Sequence, residues 1–139
     1  VTTEPEWPDL EQWLIAMLST SIISPEAGAS VWIDVDEPLE QSDAGYVVIV
    51  RYDGGGRLGV VTEQARIGIR VRGPNTDLGR ARRGGLARQI KRLIATCPAP
   101  GRACPLAAVT DQNGPYRTSR TDAERPENYQ TAELIIAGN

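Results

Sequence analysis

Asp34, Asp36 and Glu37 are the densest carboxylate cluster in the 139-residue chain and the first candidates for acid/base work or cation binding. On a strand, Asp34 and Asp36 would share a face, which suits an acid/base pair or a divalent ion. The usual companion is missing. The sequence has no histidine, so the commonest general base, the middle member of hydrolytic triads and the commonest imidazole metal ligand are absent. No acid, base and nucleophile converge by type and spacing, and the acidic turn reads as a solvated surface. A non-enzyme is expected, with no cofactor and no metal.

Two further patterns carry chemical suggestions. Gly54-Gly55-Gly56-Arg57-Leu58-Gly59 matches G-x-G-x-x-G. A dinucleotide fingerprint needs its last glycine to open a helix whose N-terminus holds a pyrophosphate. Here Val60, Val61 and Thr62 follow, β-branched and strand-forming, so the glycines are expected to supply the positive φ of a hairpin turn. Cys97 and Cys104 are the only cysteines, separated by six residues. They have the length to close a small loop, but the acidic opening Val1 to Trp7 lacks the pattern of a secretory signal and points to cytoplasmic synthesis, which favours two thiols.

The charges are sorted along the chain. Residues 1–50 hold ten acids and neither Lys nor Arg, 51–102 hold twelve cations against three acids, and 103–139 hold five acids and three cations, for a net charge of −3. Such a molecule can present an acidic surface and a basic one together, and complementary fields steer copies into register. The basic stretch 66–92 is also where a nucleic-acid surface would lie. It lacks the interleaved aromatics of single-strand binders and the polar base readers of major-groove helices. One lysine among fifteen cations leaves arginine dominant, which suits bidentate pairing with carboxylates.

The elements that position these residues follow from periodicity. Pro8 to Leu18 predicts an amphipathic helix, with Leu10, Trp13, Leu14, Met17 and Leu18 on one stripe. Val31, Ile33 and Val35 alternate with Trp32, Asp34 and Asp36 as in a half-buried strand. Tyr46 to Tyr52 is a second strand, apolar on both sides and so internal, followed by an Asp53 to Gly56 turn. In a third strand, Ala65 to Arg72, Ile67, Ile69 and Val71 face one way and Arg66, Arg70 and Arg72 the other. Gly73 to Thr76 supplies a turn and cap for a long helix, Asp77 to Thr96. At ~100° per residue its apolar side gathers Leu86, Ile90, Leu93, Ile94 and Cys97, opposite Arg80, Arg88, Lys91 and Arg92. Gly84-Gly85 marks a close packing contact or a kink.

Strands at Leu106 to Thr110 and Tyr129 to Ala137 complete an α-β-β-β-α-β-β order. That order predicts a single α+β domain over 1–139, an antiparallel or mixed sheet of four to five strands with both helices packed on one face. The polar connection 111–128, with Tyr116, Arg117, Arg120 and Arg125, is expected to be a long arm that orders on a partner. No apolar run approaches the ~20 residues of a membrane span.

Several of these segments together resemble a known family. They are the first helix, Tyr52 to Arg57 after a valine-rich strand, Ala65 to Val71, Arg80 to Ala87 on a helix, Gly114 to Tyr116, and Asn128 to Leu134. In this order they look like the tail terminator (tail completion) proteins of long-tailed actinobacterial phages. The resemblance implies a subunit that forms a ring, by analogy a hexamer, on the end of the tail tube. Such a ring stops tube polymerisation and offers its other side to a head-side connector or stopper protein, with DNA only passing through the lumen and no membrane involved. It implies a virion location after assembly in the host cytoplasm. A head-closure or head–tail joining protein is the neighbouring alternative, and a small nucleic-acid-binding module using 66–92 a more distant one. The family has no catalytic residue to transfer. From charge and exposure, the expected interface positions are Asp34, Asp36 and Glu37 against Arg66, Arg70, Arg72, Arg80, Arg88, Lys91 and Arg92, with Tyr116, Arg117, Arg120 and Arg125 on the arm.

Overall fold

The first helix starts where a side chain can cap it. Asp9 takes an extended conformation and its carboxylate accepts the Gln12 amide at 3.2 Å, so α1 runs Leu10–Ser21 rather than from Pro8. The computed structural model describes residues 9–25, 29–38, 45–57, 62–74, 76–97, 106–118 and 127–137. Over these the order is α1, β1 (Val31–Asp34), β2 (Tyr46–Arg57), β3 (Thr62–Arg72), α2 (Asp77–Thr96), β4 (Leu106–Thr118) and β5 (Glu127–Ala137), an α+β fold as the periodicity predicts. Thr76 caps α2 by accepting the Gly79 amide at 2.9 Å.

The five strands lie in the order β1-β2-β3-β5-β4. β1 runs parallel to β2, and every other neighbouring pair is antiparallel. α1 packs on β1 and β2, while α2 lies across β3, β5 and β4. Both cover the same face, because the inward residues of the strands and the leucine and isoleucine stripes of the helices form one buried cluster. Leu14 and Leu18 are fully buried, each contributing about 1.5–3 kcal/mol by leaving water. Glu11 fixes the entry of α1 by accepting the Tyr52 amide at 2.9 Å.

Three expectations change. The segment 111–118, read as part of a partner-ordered arm, is the second half of β4, and Glu127 and Asn128 open β5. Polar composition misled because β4 is an edge strand whose pairing carries three irregularities, so it lacks a clean alternation. Arg120 and Arg125 lie outside the described residues. The Asp53 to Gly56 turn is instead a bulged continuation of β2, with Gly55 opposite Ala65 and Gly56 opposite Gln64. Gly55 has φ +151°, and a Cβ there would stand 2.0 Å from the Gln64 carbonyl oxygen, so the site demands glycine. Finally, Cys97 is disulfide-bonded rather than a free thiol, and Cys104 lies outside the described residues. The thiol expectation came from compartment, whereas the last turn of α2 buries Cys97 at 3% exposure.

α2 runs as one continuous helical segment through Gly84 and Gly85. Among the described residues, neither packs closely on another element. The neighbour of both is the Arg88 side chain, which lies along its own helix. Among the described residues no helix is long and apolar enough to cross a membrane.

Candidate functional site

The sheet's uncovered face is assembled by register. β2 and β3 set Val47 opposite Arg72, Ile49 opposite Arg70 and Arg51 opposite Gly68. β5 adds Glu127, Tyr129, Thr131 and Glu133 opposite Arg72, Arg70, Gly68 and Arg66. The arginine row on β3 therefore exists as expected, on the side away from the helices. Its charges are met within the same chain. Arg66 Nη2 donates to Glu133 Oε1 at 2.6 Å, Arg72 Nη2 lies 2.9 Å from Glu37 Oε2, and Arg70 Nε lies 3.9 Å from Glu127 Oε1. The Glu133 hydrogen bond and charge raise the Arg66 pKa above the usual arginine value.

Helix α2 divides its cations differently from the sequence reading. Arg80 reaches back to Asp77 at 2.5 Å. Lys91 is half-buried, with Nζ donating to the Gly114 carbonyl at 2.7 Å, while Gln112 Nε2 donates to the Lys91 carbonyl at 2.9 Å. These bonds tie α2 to β4, so Lys91 is a fastening within the subunit. Arg88 and Arg92 remain exposed on α2.

The carboxylate cluster also separates. β1 ends at Asp34, so Asp36 lies beyond the strand and does not share its face by alternation. Asp34 Oδ1 accepts the Val35 amide at 2.7 Å, and Trp32 Nε1 donates to the Asp36 carbonyl at 2.9 Å. Asp36 is exposed. Tyr116, at 55% exposure, and Arg117 stand on the edge strand β4.

Sequence reading missed Arg83, which is 1% exposed. Its Nε donates to Asn128 Oδ1 at 2.5 Å. Burial first, then the Arg117 and Arg80 charges, push its pKa below the usual arginine range, with Glu127 acting the other way. The signal was present: position 83 falls on the same stripe as Leu86, Ile90 and Ile94. Gln130, 3% exposed, likewise docks β5 to α2 through its Nε2 bond to the Ala87 carbonyl at 2.8 Å. Among the described residues no group of three or more acidic, cysteine or histidine side chains is placed to hold a metal.

No protein-family model matches this chain, and no curated protein matches its sequence.

Proposed function

We propose that this protein is a non-enzymatic assembly subunit of a phage neck, a tail terminator that closes into a ring on the end of the tail tube. Its partners in this reading are further copies of itself, the tube protein and a head-side connector. The observation that carries the proposal is the separation of exposed charge across the sheet. Asp36, with Asp34 beside it, belongs to the β1 edge, whereas exposed Arg88 and Arg92 ride on α2 above the β3, β5 and β4 half. Opposite charges on the β1 edge and on the α2 helix layer suit a head-to-tail contact, which generates a ring when its rotation closes.

The resemblance to tail terminators gives the ring its place and its analogy to a hexamer. A head-closure or head–tail joining subunit would use the same charged surfaces. The nucleic-acid reading is weakened by the β3 arginines, whose intrachain carboxylates reduce the positive field such binding needs.

Light scattering over a concentration series, with negative-stain images of the same samples, tests the proposal. Rings, alone or on tube ends, are the expected result. A strict monomer at every concentration, even with tail tube present, overturns it.

A further inference from the structure

β1 and β2 run parallel, so the chain must travel back to the start of β2 once β1 has ended at Asp34. Trp32, Val47 and Arg72 form one cross-strand row on the sheet face that the helices leave uncovered. The returning chain is held over this row. Trp32 Nε1 donates to the Asp36 carbonyl at 2.9 Å, Arg51 Nε donates to the Val35 carbonyl at 3.0 Å, and Arg72 Nη2 lies 2.9 Å from Glu37 Oε2.

These bonds decide which groups remain available to a neighbour. Glu37 and Arg72 occupy each other, and Arg51 is turned to a backbone carbonyl. The Asp36 side chain stays exposed, and so does the Trp32 indole at 41%. The indole N–H bond to the Asp36 carbonyl fixes the ring beside that residue, so little is left to order on binding. Among the described residues the cation stacked over an aromatic ring is Arg70 at Tyr129, and the Trp32 ring carries none.

We infer that Trp32 and Asp36 form one receptor for an arginine side chain, and that its occupant is Arg92 of a second copy, the guanidinium stacking on the indole while the carboxylate pairs with it. The inference rests on the ring proposal and names the side chains that make its contact. Charge favours a cation here. Asp34, Asp36 and Glu37 outnumber Arg51 and Arg72 by one, Arg70 and Glu127 beside them pair with each other, and residues 39–44 add Glu40 and Asp43 but no cation. An aromatic face next to a carboxylate suits a planar guanidinium better than a compact ammonium. Helix α2 carries six cations and a single acid, Asp77. Of those exposed on it, Arg88 lies back along its own helix against Gly84 and Gly85, whereas Arg92 is in no ion pair among the described residues. Arg117, exposed on β4, is the competing donor that the test separates from Arg92.

Sedimentation velocity of the full chain over a concentration series, repeated with tail tube present, is the test. Trp32→Leu and Arg92→Gln are each expected to weaken association about 10-fold or more, as at an interface hot spot, and Arg117→Gln to leave it unchanged. Trp32→Phe keeps a ring and should lose less than Trp32→Leu. The variant carrying both Trp32→Leu and Arg92→Gln should associate little worse than either alone, because the two changes remove one contact. Arg92 is exposed on a helix, so Arg92→Gln should keep the wild-type urea midpoint and report on association alone. Wild-type rings that withstand Trp32→Leu or Arg92→Gln, additive losses in the double variant, or a loss with Arg117→Gln in place of Arg92→Gln would overturn the inference and leave the ring standing. A wild type that never assembles, even with tail tube, overturns both.

Discussion

Arg72 on β3 and Glu37 just beyond β1 lie 2.9 Å apart, although β2 separates their strands. The pair joins the acidic first third of the chain to its basic middle inside one subunit. It removes Glu37 and Arg72 from the charges available to a neighbour and leaves the exposed Asp36, Arg88 and Arg92 as the better-placed set.

The ion pair itself can be measured. Arg72 is 14% exposed and Glu37 40%, so screening by solvent is incomplete. A double-mutant cycle with Glu37→Gln and Arg72→Gln is expected to give a coupling of about 1 kcal/mol by urea denaturation. Assembly should survive Glu37→Gln, because neither residue belongs to the proposed contact between subunits.

Reversing the charge of Asp36 or Arg92 should have the opposite profile. Asp36→Arg or Arg92→Glu alone should weaken assembly without lowering the unfolding midpoint, and combining them should restore it. Multi-angle light scattering at low salt reads the outcome. Added salt should loosen the wild-type assembly, because exposed charges are screened beyond about 8–10 Å at near-physiological ionic strength.

Helix α2 contains an avoidable weakness. Among the described residues, a Cβ at Gly85 would have only the tip of the Arg88 side chain within 4.0 Å. Gly85→Ala should therefore stabilise the fold by about 1 kcal/mol, seen as a higher urea midpoint. A loss of stability would mean that the helix is covered there by something not evident within the subunit.

Arg83 depends on Asn128. Replacing Asn128 by Leu removes the acceptor for the buried Nε and leaves the guanidinium one partner short. The expected cost is about 1–3 kcal/mol, measured by chemical denaturation.

Tyr52 offers a pH probe. Burial, then the charge of Glu63 and its 3.4 Å hydrogen bond, raise the phenol pKa above the ordinary 10.0. The folded state thus holds this proton more tightly than the unfolded chain. Its contribution to stability is complete below the unfolded value and disappears as pH rises through the folded one. Ultraviolet titration should show Tyr52 ionising later than an ordinary phenol, and Glu63→Gln should move it earlier.

Much of the architecture was legible because it is local. Leu10, Leu14 and Leu18 repeat every four residues, and Ile67, Ile69 and Val71 every second residue, and such periods state which side of an element must leave water. Capping by Thr76 and the single-sided arginine row on β3 were readable for the same reason. The 111–118 part of the expected arm was misread because bulged edge pairing erases alternation, so composition alone looked like loop.

The sequence by itself determined the element order, the buried stripes and the segregation of charge, since each depends on neighbours a few residues apart. Only the tertiary structure decided what those charges face. Glu133 reaches Arg66, Glu37 reaches Arg72 and Lys91 reaches the β4 backbone through strand order, and register sets Arg51 diagonal to Arg70. The physical reason is range: a helical or strand period is set by backbone geometry along the chain, whereas an ion pair between residues far apart in sequence exists only once folding has brought the two ends together.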